Sequence, residues 1–401
     1  MSSGSGLGMS GPLAVFAAGF GVELERRGYR PRSVREQLWL MADVSEWLAV
    51  HGLQPVDLTE DRVTQLLADR RAAGRWHLLS RRAVVPLLEY LRGVGIVPAV
   101  MAPVTAGEIL VERYSVYLRE QRGLASGTVR NYVGVACAFL TWRETATGML
   151  GLDGLDAPAV IAFVLGESQR GSIGSAKCMV TRLRAFLRFL HLDGVIDQDL
   201  AGAVPSVASW RLAGLVKALD GGSVARLLAS CDRRTRVGRR DYAALILLSR
   251  LGLRAGELAE LQLADIDWRS GELLVRGKGS RQERLPLPAD VGEALAGWLT
   301  RGRPKCDCVF VFTTVRAPLG GLSPGGVSGI VRYACKRAGL PVIGAHRLRH
   351  TAATQMLRAG GSLTEVGQVL RHRNRDVTSI YAKVDRLALA AVVQPWPGAA
   401  A

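Results

Sequence analysis

Residues 251–287 read LGLRAGELAELQLADIDWRSGELLVRGKGSRQERLPL, and here a helical pattern gives way to strands. Just ahead, residues 241–251 make a strongly apolar helix; Arg254 stands at its end beside a turn, with Glu257 one helical turn on. Residues 272–276 and 283–287 are two β-rich segments around Gly277-Lys278-Gly279-Ser280, which predicts a hairpin with Lys278 at its tip. Further on, a helix is expected over 290–301, a third short strand over 308–313, and helices to about residue 392 before a loose WPGAAA tail. Ser223 is expected to cap a helix upstream. This part of the chain reads as mixed α and β.

Towards the N-terminus the character changes. Up to about residue 202, apolar residues recur at i, i+3 and i+4 with hardly a β-rich run. The stretch RRGYRPRSVREQLWLMADVSEWL (26–48) matches QRGLASGTVRNYVGVACAFLTW (121–142): Gly28/Gly123, Val34/Val129, Arg35/Arg130 and Trp47/Trp142 pair at an offset of 95. Later, LLEYLRGVGIV (87–97) echoes FLRFLHLDGVI (186–196) at an offset of 99. So steady an offset points to duplication of a four-helix unit of nearly 100 residues, the alternative being chance likeness between amphipathic helices. Each copy is expected to open its second helix with a polar cap, Ser33 in the first and Ser126 or Thr128 in the second. Arg32, Arg35, Arg130 and Asn131 then fall in early turns; with Lys177 they are candidates for DNA phosphate contacts, or equally a solvated basic face. Residues 203–215 lose the period and carry a proline, as a linker would. The division expected is 1–104, 105–205 and 206–401.

Charge narrows the partner. Lys plus Arg number 52 against 35 Asp plus Glu, a formal +17, and only six of the cations are lysines. Such a surplus favours a polyanion, nucleic acid before anionic membrane, although an arginine-rich genome would write the same composition. With 48% apolar and 22% charged residues, disorder is excluded. The apolar stretch 12–22 is too short to span a bilayer, which takes about 20 residues, and reads as a first helix. Cys306 and Cys308 are the only close pair among six scattered cysteines, so reduced thiols in a cytosolic protein, and no structural metal, are expected.

The chemistry concentrates late in the chain. HRLRHTAATQML (346–357) puts His346 and Arg349 three apart on one helical face, LRHRN supplies His372, and SIYAKVD supplies Tyr381. Two arginines, a lysine, two histidines and a tyrosine, with no carboxylate pair, suit phosphoryl transfer without metal: guanidiniums clamp the non-bridging oxygens, tyrosine attacks, lysine protonates the leaving oxygen. Singly, each residue has an ordinary reading: a helix-end salt bridge for Arg254 and Glu257, a solvated turn for Lys278, core for Tyr381. His346 and His350 have zinc-helix spacing, but Arg347 stands where such a helix needs Glu, and nearby arginines repel a cation.

In this order and spacing the set resembles the tyrosine recombinases of the phage-integrase family, strongly over about 220–385, while 108–205 resembles their helical core-binding domain less specifically. The resemblance implies a helical core-binding domain and a mixed α+β catalytic domain with a small antiparallel sheet. With the repeat, the fold class expected is an α-helical N-terminal half of two tandem SAM-like four-helix domains followed by that catalytic domain. The resemblance implies that Arg254 and Arg349 bind the scissile phosphate, that Lys278 is the general acid, and that His346 and His372 handle protons. Tyr381 would form a 3′-phosphotyrosine, with neither ATP nor cofactor, and Glu257 would orient the arginine region. Implied too are a clamp on double-stranded DNA, a homotetramer on two recombination sites, a Holliday junction, and an apolar tail over 387–393 that docks on the next protomer. The chain departs in having Arg371 where a glycine commonly precedes the second histidine, and in a front segment that reads as a second helical copy. A type IB topoisomerase-like enzyme and a non-catalytic accessory to co-encoded recombinases are the rival readings; no membrane role is expected.

Overall fold

The computed structural model describes residues 9–75, 77–97, 105–147, 152–208, 218–277, 282–371, 378 and 381. Lys278, His372 and the 387–393 tail lie outside them. The chain divides into two compact units: residues up to 97 together with those from 214 on, and residues 98–213.

The front of the first unit is four helices, α1 (Ala17–Arg26), α2 (Pro31–Val50), α3 (Glu60–Ala72) and α4 (Arg81–Gly93). Phe20, Met41, Val44, Leu66, Val84, Leu87 and Leu91 form their apolar centre. The second unit repeats the plan with α5 (Ala106–Glu120), α6 (Ser126–Thr147), α7 (Ala157–Ser168) and α8 (Ile173–Leu192). Its core is aromatic, with Phe139 edge-on to Phe163 at 5.1 Å and Tyr114 against Phe186 at 4.9 Å.

Residues paired by the offset occupy like positions. Val34 and Val129 are both buried, as are Leu91 and Leu190. Gly95 and Gly194 follow the last residue of α4 and α8 by two, with φ of +75° and +71°. Beyond each glycine the next N–H, of Ile96 or Val195, returns to Leu91 O or Leu190 O at 2.9 Å, the same helix-ending turn made twice.

From 218 on the first unit is α+β. Helices α9 (Gly221–Ala229), α10 (Arg236–Arg250) and α11 (Ala255–Ala259) precede an antiparallel sheet of β1 (Ile266–Asp267), β2 (Glu272–Arg276) and β3 (Gln282–Pro286). Leu273 pairs with Leu285 and Val275 with Glu283. Then come α12 (Ala289–Arg301), α13 (Pro324–Arg337), α14 (Ala345–Arg358) and α15 (Leu363–Val369). The apolar run read in the sequence is α10, buried from Ala243 to Ser249 and packed by α9, α12, α13 and α14. The fold class is as expected, a helical front half and an α+β part with a small antiparallel sheet.

Four local expectations are corrected. Ser33 does not cap α2: Pro31, which lacks an N–H to satisfy, opens the helix behind an extended Arg30. Neither Ser126 nor Thr128 precedes α6, which starts at Ser126 while Ala125 O accepts the Thr128 and Val129 N–H groups. Asp220, not Ser223, caps α9; its carboxylate accepts the Ser223 N–H at 2.7 Å. Residues 308–313 are no strand; their β-type pairing is confined to the isolated bridges Gln262–Phe310 and Thr313–Gly321. Side chains take the carbonyls a ladder would use. The Arg303 guanidinium donates to Cys308 O and Phe310 O, and the buried Trp298 indole donates to Val311 O at 2.8 Å.

Gly95→Ala and Gly194→Ala should each cost about 1 kcal/mol in urea unfolding, from the Cβ penalty of the left-handed conformation. The two losses should match, because a Cβ at either position meets nothing within 4 Å.

Candidate active site

The end of α10 sets the frame. Gly252, at φ +60°, turns the chain so that its carbonyl accepts from Arg349 Nη1 at 2.7 Å; a Cβ there would lie 2.5 Å from Leu370 Cδ2. Two residues on, Arg254 precedes α11 in extended conformation and Glu257 reaches back to it. The Glu257 carboxylate accepts from the Arg254 backbone N–H at 2.8 Å and from Arg254 Nη1 at 2.5 Å. The ion pair read for Arg254 is thus made, and its side chain stays 38% exposed.

Helix α14 brings His346, Arg349 and His350 along one face. Arg349 is 1% exposed and hands its two terminal nitrogens to backbone, Nη1 to Gly252 O and Nη2 to Leu370 O. It thereby ties the end of α10 to the end of α15. His346 and His350 stand edge to face at 4.4 Å, and His350 Nδ1 lies 2.7 Å from the Tyr381 hydroxyl. Tyr381 is 1% exposed among Ala353, Leu357, Val366 and Leu370. Arg371 adds a third guanidinium, its Nη2 2.7 Å from Glu257 Oε2, while Arg349 Nη1 stands 3.9 Å from that same oxygen.

Protonation follows from this packing. Burial pushes Glu257 up, but the charge of Arg371 and hydrogen bonds from Arg254 and Arg371 outweigh it, so its pKa is lowered and it stays ionised. Burial and the neighbouring Arg254 charge bring Arg349 down to about 10, still protonated at neutrality. His346 is lowered by burial, then by Arg349 and Arg254. His350 falls to about 4 through burial, His346, Arg349 and Arg347. Burial raises the Tyr381 phenol to about 12, against the pull of Arg349 and Arg254. At pH 7 the cluster therefore holds a neutral phenol, neutral imidazoles, and three guanidiniums around one carboxylate. In the tautomer whose Nδ1 carries no proton, the phenol O–H donates to His350. That arrangement receives an oxyanion and supplies an oxygen nucleophile with a base in contact. Among the described residues no three His, Cys, Asp or Glu side chains gather as a metal site would need.

Residues 217–387 match the phage integrase family. An integrase/recombinase of Sinorhizobium fredii is 41% identical over 396 residues, 97% of this chain and 96% of that protein. The chain belongs to the phage integrase family, the tyrosine recombinases. A second member, tyrosine recombinase XerD of Listeria monocytogenes, is 30% identical over 70% of this chain and 95% of its own. In fold, the family likeness extends to a lambda integrase tetramer bound to a Holliday junction (TM-score 0.52, 21% identity, 75% of this chain and 87% of that one).

In this family member the structure gathers Arg254, Glu257, His346, Arg349 and Tyr381, while Lys278 and His372 fall outside the described residues. Arg32 and Arg35 are exposed in the first turns of α2, where Arg32 pairs with Glu36 at 3.0 Å. Arg130 and Asn131 are exposed on α6, and Lys177 is half-buried on α8. Sequence reasoning missed two contacts. His350 was weighed only as a zinc ligand, yet its place four residues after His346 already put it on the same face; the approach of Tyr381, 31 residues on, is tertiary. Arg371 reads in the sequence as a departure that changes the turn or adds a phosphate contact; its partner Glu257 is 114 residues away in the chain.

His350 makes stability sensitive to acid. Its folded pKa of about 4 lies below the ordinary 6.5, so the unfolded chain takes the proton first; stability is full above about 6.5 and declines from there towards about 4. The urea midpoint should fall between about pH 7.5 and about pH 5, and fall less in His350→Asn. An equal fall in both proteins would remove His350 from this account.

Proposed function

We propose that the chain is a site-specific DNA recombinase that cuts and rejoins duplex DNA through a 3′-phosphotyrosine. The observation that carries this is the Tyr381 hydroxyl, held 2.7 Å from His350 Nδ1 in a cluster whose arginine charges, those of Arg254 and Arg349, bear on the phenol. Arg254 and Arg349 clamp the non-bridging oxygens of the scissile phosphate. Tyr381 Oη attacks phosphorus as its proton passes to His350, and the 5′-oxygen leaves with a proton from Lys278. His346 and His372 hydrogen-bond the phosphoryl group, and Glu257 orients the arginines. The released 5′-hydroxyl of a partner strand reverses the step on a new phosphate, so bond energy is conserved and neither ATP nor a cofactor enters.

Residues 105–205 act as the core-binding domain and 1–104 as its duplicate, with Arg32, Arg35, Arg130, Asn131 and Lys177 on DNA phosphates. The repeated helix ends at Gly95 and Gly194 and the matching buried positions support that division. Four protomers on two sites exchange strands through a Holliday junction; the likeness to the lambda integrase tetramer supports this. The protein serves a mobile element in the cytoplasm, at the nucleoid, alone or beside co-encoded recombinases.

Nicked suicide duplexes drawn from the ends of the encoding element test this on denaturing gels. Wild type should give a covalent protein–DNA band in EDTA, and Tyr381→Phe none while still shifting the DNA. Binding without a band on the true site would favour the accessory reading, and relaxation of plasmid lacking any site would favour the topoisomerase-like one.

A further inference from the structure

Arg371 is one of two non-glycine residues at positive φ among those described, at +54°. A side chain there costs backbone energy, and the family resemblance leads one to expect a glycine. The side chain is nonetheless present and turned inward: the residue is 9% exposed, and its ion pair with Glu257 leaves both side chains only 4% exposed. Its Nη1 donates to Val369 O at 2.9 Å, and its buried Nε has no partner. A guanidinium is an expensive group to bury, so a contact must hold it, and among the described residues Glu257 is the carboxylate that pairs with it.

The position of that contact matters. Within one turn of chain the Leu370 carbonyl accepts from Arg349 Nη2 and the next side chain donates to Glu257. Glu257 in turn holds Arg254 through its other oxygen. One left-handed turn thus connects to both arginines that clamp the phosphate, through a backbone carbonyl on one side and a carboxylate on the other. Because Arg371 shares the charge of Glu257, the carboxylate neutralises less of Arg254 and Arg349. We propose that Arg371 is a positioning residue of the strand-cleaving site, a clamp on Glu257 that fixes Arg254 and Arg349 where the scissile phosphate arrives. This rests on the recombinase reading above.

Glu257 faces Arg254 from its own helix, Arg349 from α14 and Arg371 beyond α15. Helix α13, also packed on α11, carries Arg332, Tyr333, Lys336 and Arg337 on exposed positions and the buried thiol of Cys335. Helix α10, also packed on α11, carries Arg236, Arg239, Arg240, Tyr242, Arg250 and Asp241, the last paired with Arg240 and Arg337, and Glu365 on α15 is held by Ser362. Without Arg371, Glu257 loses the charge that most lowers its pKa and takes up a proton at higher pH.

The test compares wild type, Arg371→Gly and Arg371→Lys in single-turnover cleavage of the suicide duplex across about pH 6 to 8.5, with gel-shift affinity and thermal midpoint measured alongside. Glycine suits the turn, so that variant should melt no lower than wild type and bind DNA within about twofold. It should cleave about tenfold or more slowly, as misplaced clamps do, with the acid limb of its pH profile moved to higher pH. Arg371→Lys, which keeps a cation for Glu257, should recover a substantial part of the rate. Cleavage by Arg371→Gly at the wild-type rate with an unmoved profile would overturn the inference. So would a rate loss matched by equal losses of affinity and melting temperature, which marks a purely structural role. Absence of a covalent band with wild type itself would instead overturn the parent reading.

Discussion

Three guanidiniums cannot be gathered in a protein interior without a counter-charge, and in this chain one carboxylate supplies it. Glu257 accepts from Arg254 and Arg371 directly and stands 3.9 Å from Arg349. Around that carboxylate the elements are arranged: α11 begins at its first partner, α14 carries the second and the turn after α15 the third. Desolvation of such a cluster is costly, and the gain in return is a pocket with positive charge in excess. In the proposed reaction the scissile phosphate diester supplies the remaining negative charge. Charges fixed in this way suit a pre-organised anion site rather than flexible capture.

The backbone is used as much as the side chains. Arg349 spends both terminal nitrogens on the carbonyls of Gly252 and Leu370, which belong to helix ends 118 residues apart in the numbering. It is then a structural tie as well as a charge. Trp298 and Arg303 are ties of the same kind, their donors occupying the carbonyls of Cys308, Phe310 and Val311. Irregular chain beside the core of this unit is held by side-chain donors where a ladder would otherwise form.

Much of the fold is legible in the sequence because it is written in local signals. The strands at 272–276 and 282–286, the apolar α10 and the repeated four-helix pattern follow from periodicity and from the Gly-Lys-Gly-Ser turn. Helix starts are less legible: Pro31 and Asp220 displace the serines that a capping rule would choose, since several polar residues compete near each start. The candidate site is legible in residue type and order, as chemistry, and not in its contacts. The His350–Tyr381 hydrogen bond and the Arg371–Glu257 pair join residues far apart in sequence, and no period or propensity encodes them. Arg371 shows the point well: local rules mark it as the wrong residue for a left-handed turn, and only the distant carboxylate makes it the right one.

The burial of Tyr381 bears on the return half of the proposed reaction. A phenol whose pKa is raised to about 12 is ionised in only about one molecule in a hundred thousand at pH 7. The same environment that withholds phenolate on the way in makes Tyr381 a poor leaving group on the way out. Release of the DNA from a tyrosyl phosphodiester then requires that a proton be returned to the phenolic oxygen as the bond breaks, by the imidazole that received it. Adventitious water, arriving without that proton transfer in register, meets a stable ester. In the proposed reaction, a buried tyrosine in contact with one histidine thus protects the covalent intermediate from hydrolysis while leaving it open to a correctly seated strand end.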